Sequence, residues 1–212
     1  MKGTTAFSIA LAGALAAMPA QATDEDRQAW LSTNATGAVL PGVTGLLEAS
    51  YRLRSDDPEQ LLTRASLETP VADGVLVSGG VAYVEFRGGS ELRPHQQVTL
   101  AMGPVTFRTR IEQQFFDGAE RMQLRLRQRV QITQPLGRAT RDSLSGELLY
   151  IARSQTGGSA ARRDQWRAAA AVQRRLSRNI EASAGYLAIY ALRDGRPDRL
   201  SHVAQLSLTF RP

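Results

Sequence analysis

Arg121-Met-Gln-Leu-Arg-Leu-Arg-Gln-Arg-Val-Gln-Ile-Thr133 decides the fold. Arg121, Gln123, Arg125, Arg127, Arg129, Gln131 and Thr133 fall on one side of this stretch. Met122, Leu124, Leu126, Val130 and Ile132 fall on the other. A β-strand sends successive side chains to opposite faces, so the stretch reads as a two-faced strand. At 13 residues it is far longer than the roughly five or six of an ordinary globular strand. Length and contrast together point to a barrel wall in a membrane.

The same alternation recurs on both sides of it. Thr44 to Arg54, Leu61 to Thr69, Val75 to Arg87, Glu91 to Met102 and Val105 to Phe116 precede it. Ser143 to Arg153, Asp164 to Leu176, Ile180 to Leu192 and Ser201 to Phe210 follow. Asp73-Gly74, Gly88-Gly89, Gly103-Pro104 and Asp117-Gly118 punctuate the array with hairpin chemistry. Asp164 to Leu176 is read as a strand despite the helix propensity of Arg167-Ala-Ala-Ala-Ala171, because Ser177-Arg-Asn179 connects it so briefly to the next one.

The expected fold is therefore all-β: an antiparallel, up-and-down transmembrane β-barrel of about ten strands, with twelve as the alternative count. Even parity puts both barrel ends on the periplasmic side, where the short connections near Gly103 and Ser177 then lie. A short alternating segment around Trp30, followed by a Gly/Pro-rich link from Gly37 to Gly42, is a possible eleventh strand; on the even count it stays outside or folds into the lumen. The chain is divided into a leader (1–22), an N-terminal segment (23–43) and the barrel domain (44–212).

The leader has a positive start at Lys2, an apolar core from Phe7 to Met18 and a small-x-small site at Ala20-Gln21-Ala22. That is the pattern of a secretory signal peptide, too short to cross a bilayer as a helix. The expected location is the bacterial outer membrane, and the expected partners are outer-membrane lipid and the barrel-assembly machinery. Cysteine is absent, which excludes disulfide scaffolds and zinc-thiolate sites. Two histidines are too few for a histidine-rich metal site, so no cofactor is expected. Lys2 is the sole lysine, so the net charge of +6 rests on arginine. Those arginines are spread over most strands of an exported chain, which argues against nucleic acid as a partner.

Alternation alone does not say which face is inside, since a soluble barrel would bury the apolar one. Strand length and aromatics near strand ends (Tyr51, Phe86, Phe115, Tyr150, Trp166, Tyr190, Phe210) favour apolar side chains facing lipid. The expected lumen ladder is then Glu48, Arg52, Arg64, Glu68, Glu85, Arg87, Glu91, Arg93, Arg108, Arg110, Glu112, Arg121, Arg125, Arg127, Arg129, Glu147 and Glu181. Arg54, Arg153, Arg167 and Arg175 share its face. Cations outnumber carboxylates there, so a porin-like lumen preferring small anionic solutes is expected beside a purely structural one. Two alternatives stand: a barrel enzyme using His95, and a soluble periplasmic protein binding a ligand in its core. A dyad of Ser201 and His202 is excluded, because adjacent strand residues face opposite ways.

Glu91-Leu-Arg-Pro-His-Gln-Gln97, Arg108-Thr-Arg-Ile-Glu-Gln-Gln114, Leu124-Arg-Leu-Arg127 and Pro135-Leu136 resemble a bacterial family known as domain of unknown function 2490. Its motifs have the forms E-x-R-x-x-Q-Q and R-x-R-x-E-x-R. The resemblance runs from Trp30 to Phe210 and implies an outer-membrane β-barrel without an assigned activity. Gln114 stands where the family often has arginine, and Arg211-Pro212 extend past the terminal aromatic of usual assembly signals.

Overall fold

The computed structural model describes residues 23–157 and 160–212, so the expected leader lies outside the described residues. Eleven strands form one closed barrel: β1 (Asp24–Leu40), β2 (Val43–Arg54), β3 (Gln60–Ala72), β4 (Val75–Phe86), β5 (Gly89–Met102), β6 (Val105–Phe116), β7 (Gln123–Pro135), β8 (Thr140–Arg153), β9 (Arg162–Arg175), β10 (Ile180–Ala191) and β11 (Arg199–Phe210). Each strand pairs antiparallel with its sequence neighbour, and β1 closes the ring by running parallel to β11. That seam runs from Asp24 opposite Arg199 to Ala35 opposite Phe210.

Two expectations are corrected here. Among the described residues the strands number eleven, with the Trp30 segment as the additional one, rather than the even ten or twelve, and closure is parallel. The segment around Trp30, outside the wall on the even count, is the 17-residue strand β1. An odd count makes the first and last strands run the same way, so Asp24 and Phe210 lie at opposite rims. The link expected from Gly37 to Gly42 shrinks to the turn at Pro41-Gly42, because β1 stays paired with β2 as far as Leu40.

Connections sort by rim. Residues 41–42, 73–74, 103–104, 136–139 and 176–179 turn the chain at one end. Residues 55–59, 87–88, 117–122 and 192–198 and the connection from β8 to β9 lie at the other, which therefore carries the longer loops. Gly74 shows what a tight turn demands. Its φ is +71°, and a Cβ there would stand 2.7 Å from the Ala101 carbonyl oxygen, so only glycine fits without strain.

The outer face is apolar. Leu31, Leu47, Leu67, Val81, Leu92, Val98, Ile111, Val172, Leu206 and Leu208 are all exposed on it. Tyr51, Tyr83, Phe115 and Trp166 are exposed near the long-loop rim. Phe86, by contrast, shares the inward parity of Val84. Polar side chains fill the interior, together with a smaller apolar set: Leu62, Ala82, Val84, Leu149, Ile151, Leu187, Ile189 and Val203. Closure gives each strand two neighbours, so wall amides along the paired registers find partners without water.

Candidate functional site

The site is the lumen. β7 delivers Arg125, Arg127 and Arg129 into it at two-residue spacing, and its neighbour β6 delivers Arg108, Arg110 and Glu112. In register, Glu112 lies opposite Arg125, Arg110 opposite Arg127, and Arg108 opposite Arg129. Two like pairs side by side would repel. Glu112 of β6 itself and Glu147 of β8 relieve them.

Glu112 accepts from Arg125 at 2.6 Å and Arg127 at 2.9 Å, with Arg110 at 3.5 Å. Glu147 on β8 accepts from Arg108 at 2.7 Å and Arg127 at 2.8 Å, with Arg167 of β9 at 4.0 Å. Arg127 thus bridges the two carboxylates. Forked guanidinium groups suit this because one arginine can donate in two directions at once. Around this centre, Arg64 pairs with Glu48 at 2.8 Å and Arg93 with Glu91. Gln114 donates to Glu91 and accepts from Gln123.

A cavity of about 490 Å³ opens among these groups, reaching from Arg196 in the β10–β11 loop to Ser32, Glu48 and Ser145. Arg52, Arg54, Arg64, Arg93, Arg108, Arg110, Arg125, Arg127, Arg129, Arg167, Arg193, Arg196 and Arg199 line it. Its acidic lining is Glu48, Asp57 and Glu147. The wall therefore carries a large excess of positive charge. Arg52 forms no ion pair among the described residues and lies over the Trp30 ring, 4.2 Å from its centroid. Arg129 likewise has only neutral partners, Gln131 and Ser145.

Of the expected ladder, Glu48, Arg52, Arg64, Glu91, Arg93, Arg108, Arg110, Glu112, Arg125, Arg127, Arg129 and Glu147 come together in this interior. Glu68 and Glu181 have inward parity but sit toward the short-turn rim, where Glu181 accepts from Arg141 at 2.7 Å and Arg211 at 3.1 Å. Three residues do not belong to the ladder. Glu85 is exposed on the outer face, because the inward face of β4 is Ser78, Gly80, Ala82 and Val84. Arg87 lies beyond the end of β4, in the turn before β5. Arg121 precedes β7 and donates to the carbonyl oxygens of Ser154 and Thr156 in the β8–β9 loop.

His95 is 2% exposed, and its Nε2 lies 3.2 Å from Ser66 Oγ. Neither residue lines the cavity. Glu112, opposite His95 in register, is engaged by three arginines. His202 faces outward against the Tyr186 hydroxyl, while its neighbour Ser201 points inward and donates to Asp26.

Asp26 was not named as an interior residue, and Trp30 belonged to a segment read as outside the wall or folded into the lumen; Gln114 does lie inward with Arg108, Arg110 and Glu112, whose face it shares. Trp30 hides because an aromatic pointing inward inverts the apolar-out rule, so β1 shows no clean contrast. For Asp26, the signal was its even spacing with Gln28 and Ser32.

The family described as "Protein of unknown function (DUF2490)" matches residues 27–200, and the chain belongs to it. No curated protein matches the chain. Among solved structures, a NanC porin in a rhombohedral crystal form is similar in fold, with a TM-score of 0.60 at 10% sequence identity. The match covers 88% of this chain and 99% of that one.

Proposed function

We propose that this protein is an outer-membrane channel of the porin kind whose arginine-lined lumen favours anions. The observation that carries the reading is the cavity, where 13 arginines face three carboxylates inside a barrel with an apolar exterior. Charged rings of one sign select the opposite ion, because the field in a narrow, low-dielectric passage is poorly screened. The fold shared with a porin supports the same reading.

The outer wall supports insertion into lipid. A 12-residue strand such as β6 has the length for it: at roughly 3.3 Å per residue and a tilt of about 40°, such a strand rises about 30 Å. Lipid then covers the leucine, valine and isoleucine rows, and the aromatics near the long-loop rim sit at the interface. The leader delivers the chain to the periplasm and the assembly machinery inserts it. On this reading the protein is not an enzyme. His95 and Ser66 are a hydrogen-bonded pair in the packed interior, without a carboxylate free to orient the imidazole.

The test is reconstitution of the purified protein into planar bilayers under a KCl gradient. A reversal potential of the sign set by chloride is expected. A reversal potential of the potassium sign, or no current from folded protein, overturns the reading.

A further inference from the structure

We infer that the lumen holds a binding site for organic anions with an apolar body, of the aromatic carboxylate type. The inference rests on the channel reading above and specifies the solute class. The cavity wall divides into two unlike banks. On one, Arg52, Arg64 and Arg108 line the cavity: Arg64 is paired with Glu48 and Arg108 with Glu147, whereas Arg52 has no hydrogen-bond acceptor among the described residues. Arg52 forms no ion pair among the described residues and rests on the indole of Trp30.

On the other bank, Leu187 and Ile189 of β10 line the same cavity. Behind them Val203 completes a small apolar core, against which Trp30 and Ala169 pack. Trp30 therefore joins the banks: the Arg52 cation lies over its ring, and the ring also packs on the apolar core.

Each bank presents a different cost. A buried cation with no acceptor is unfavourable until an anion supplies oxygen lone pairs, and a carboxylate matches a guanidinium fork. Apolar side chains facing a water-filled space gain when an apolar group covers them. A small inorganic anion answers only the first, and a neutral apolar solute only the second. A ring bearing a carboxylate answers both, with its face available to Trp30. The cavity volume of about 490 Å³ lies within the range of small-molecule sites.

Isothermal titration calorimetry of the folded full-length barrel in detergent, corrected against empty micelles, tests this with benzoate, acetate and benzyl alcohol. Benzoate is expected to bind about tenfold or more tightly than acetate, because ring burial adds to the charge contact, and benzyl alcohol is expected not to saturate. Arg52→Gln is expected to weaken benzoate by about tenfold, the loss of one charge-assisted contact. Ile189→Ala is expected to narrow the preference for benzoate over acetate, by weakening benzoate more than acetate. If Arg52→Gln does not fold, Trp30→Leu serves instead and should weaken benzoate more than acetate. Equal affinity for benzoate and acetate, or benzoate binding untouched by these variants, overturns the inference. Such an outcome alongside a chloride-type reversal potential sinks the binding site alone, whereas a potassium-type potential sinks the channel reading beneath it.

Discussion

Glu112 is 2% exposed and shares its two oxygens among Arg125, Arg127 and Arg110. Removing its charge strands buried guanidinium groups that no water reaches easily. Breaking a buried pair from one side costs about 3–5 kcal/mol, far more than an exposed pair is worth. Glu112→Gln is therefore expected to lower the urea midpoint, followed by the shift of the folded band on unheated gels. The double variant Glu112→Gln/Arg125→Gln should recover part of the loss, since it removes one of the stranded cations as well. An unchanged midpoint in Glu112→Gln would show that the arginines find other acceptors. This centre was legible in the sequence, because Arg108, Arg110, Glu112, Arg125 and Arg127 alternate strictly and lie on adjacent strands. Arg121 was not legible. It keeps the period of β7, yet the chain leaves the ladder at Met122 and the phase ceases to mean anything.

At the level of elements, β1 depends on Asp26. Its buried carboxylate accepts from Ser55 of the β2–β3 loop at 2.7 Å and from Ser201 of β11 at 2.9 Å, with Gln28 of its own strand as a third donor. One side chain thus ties the parallel seam to a loop on the far side of β1. Asp26→Ala leaves Ser201 and Gln28 without their acceptor, at about 1–3 kcal/mol. Amide exchange in β1 should then accelerate by about tenfold or more while β6 and β7 keep their protection. Asp26→Asn keeps one acceptor oxygen and should fall between. Exchange that rises equally in all strands would mean the seam opens only with the whole barrel. The sequence hides β4 for a related reason. Gly80, Ala82 and Val84 point inward, so Glu85 looks like a lumen residue although it faces out. A Cβ on Gly80 would come within 2.3 Å of the Ala65 carbonyl oxygen, so strand packing fixes that residue, whatever the polarity of its face.

The whole molecule offers two tryptophans on opposite sides of one wall. Trp166 is exposed on the outer face, and Trp30 is held in the lumen under Arg52. In liposomes containing lipids brominated on their acyl chains, the Trp30→Phe variant, which keeps Trp166, should lose most of its emission. The Trp166→Phe variant, which keeps Trp30, should be almost unaffected, since bromine quenches only at close contact across the lipid boundary. Equal quenching of both would show that the greasy rows do not face the acyl chains.

What the sequence determined by itself was the two-faced wall: long strands, the rows of arginine and glutamate held in phase, and the turns at Asp73-Gly74 and Gly103-Pro104. Those are local properties, because a period of two residues follows from the geometry of an extended chain. Closure is different. Whether β1 joins the wall, and that it meets β11 in parallel, depends on finding partners for two remote edges, separated by nearly the whole chain. The division of the lumen into a cationic bank and an apolar one was likewise settled only in three dimensions. Trp30, Leu187 and Ile189 meet there because the seam brings the first strand beside the last two.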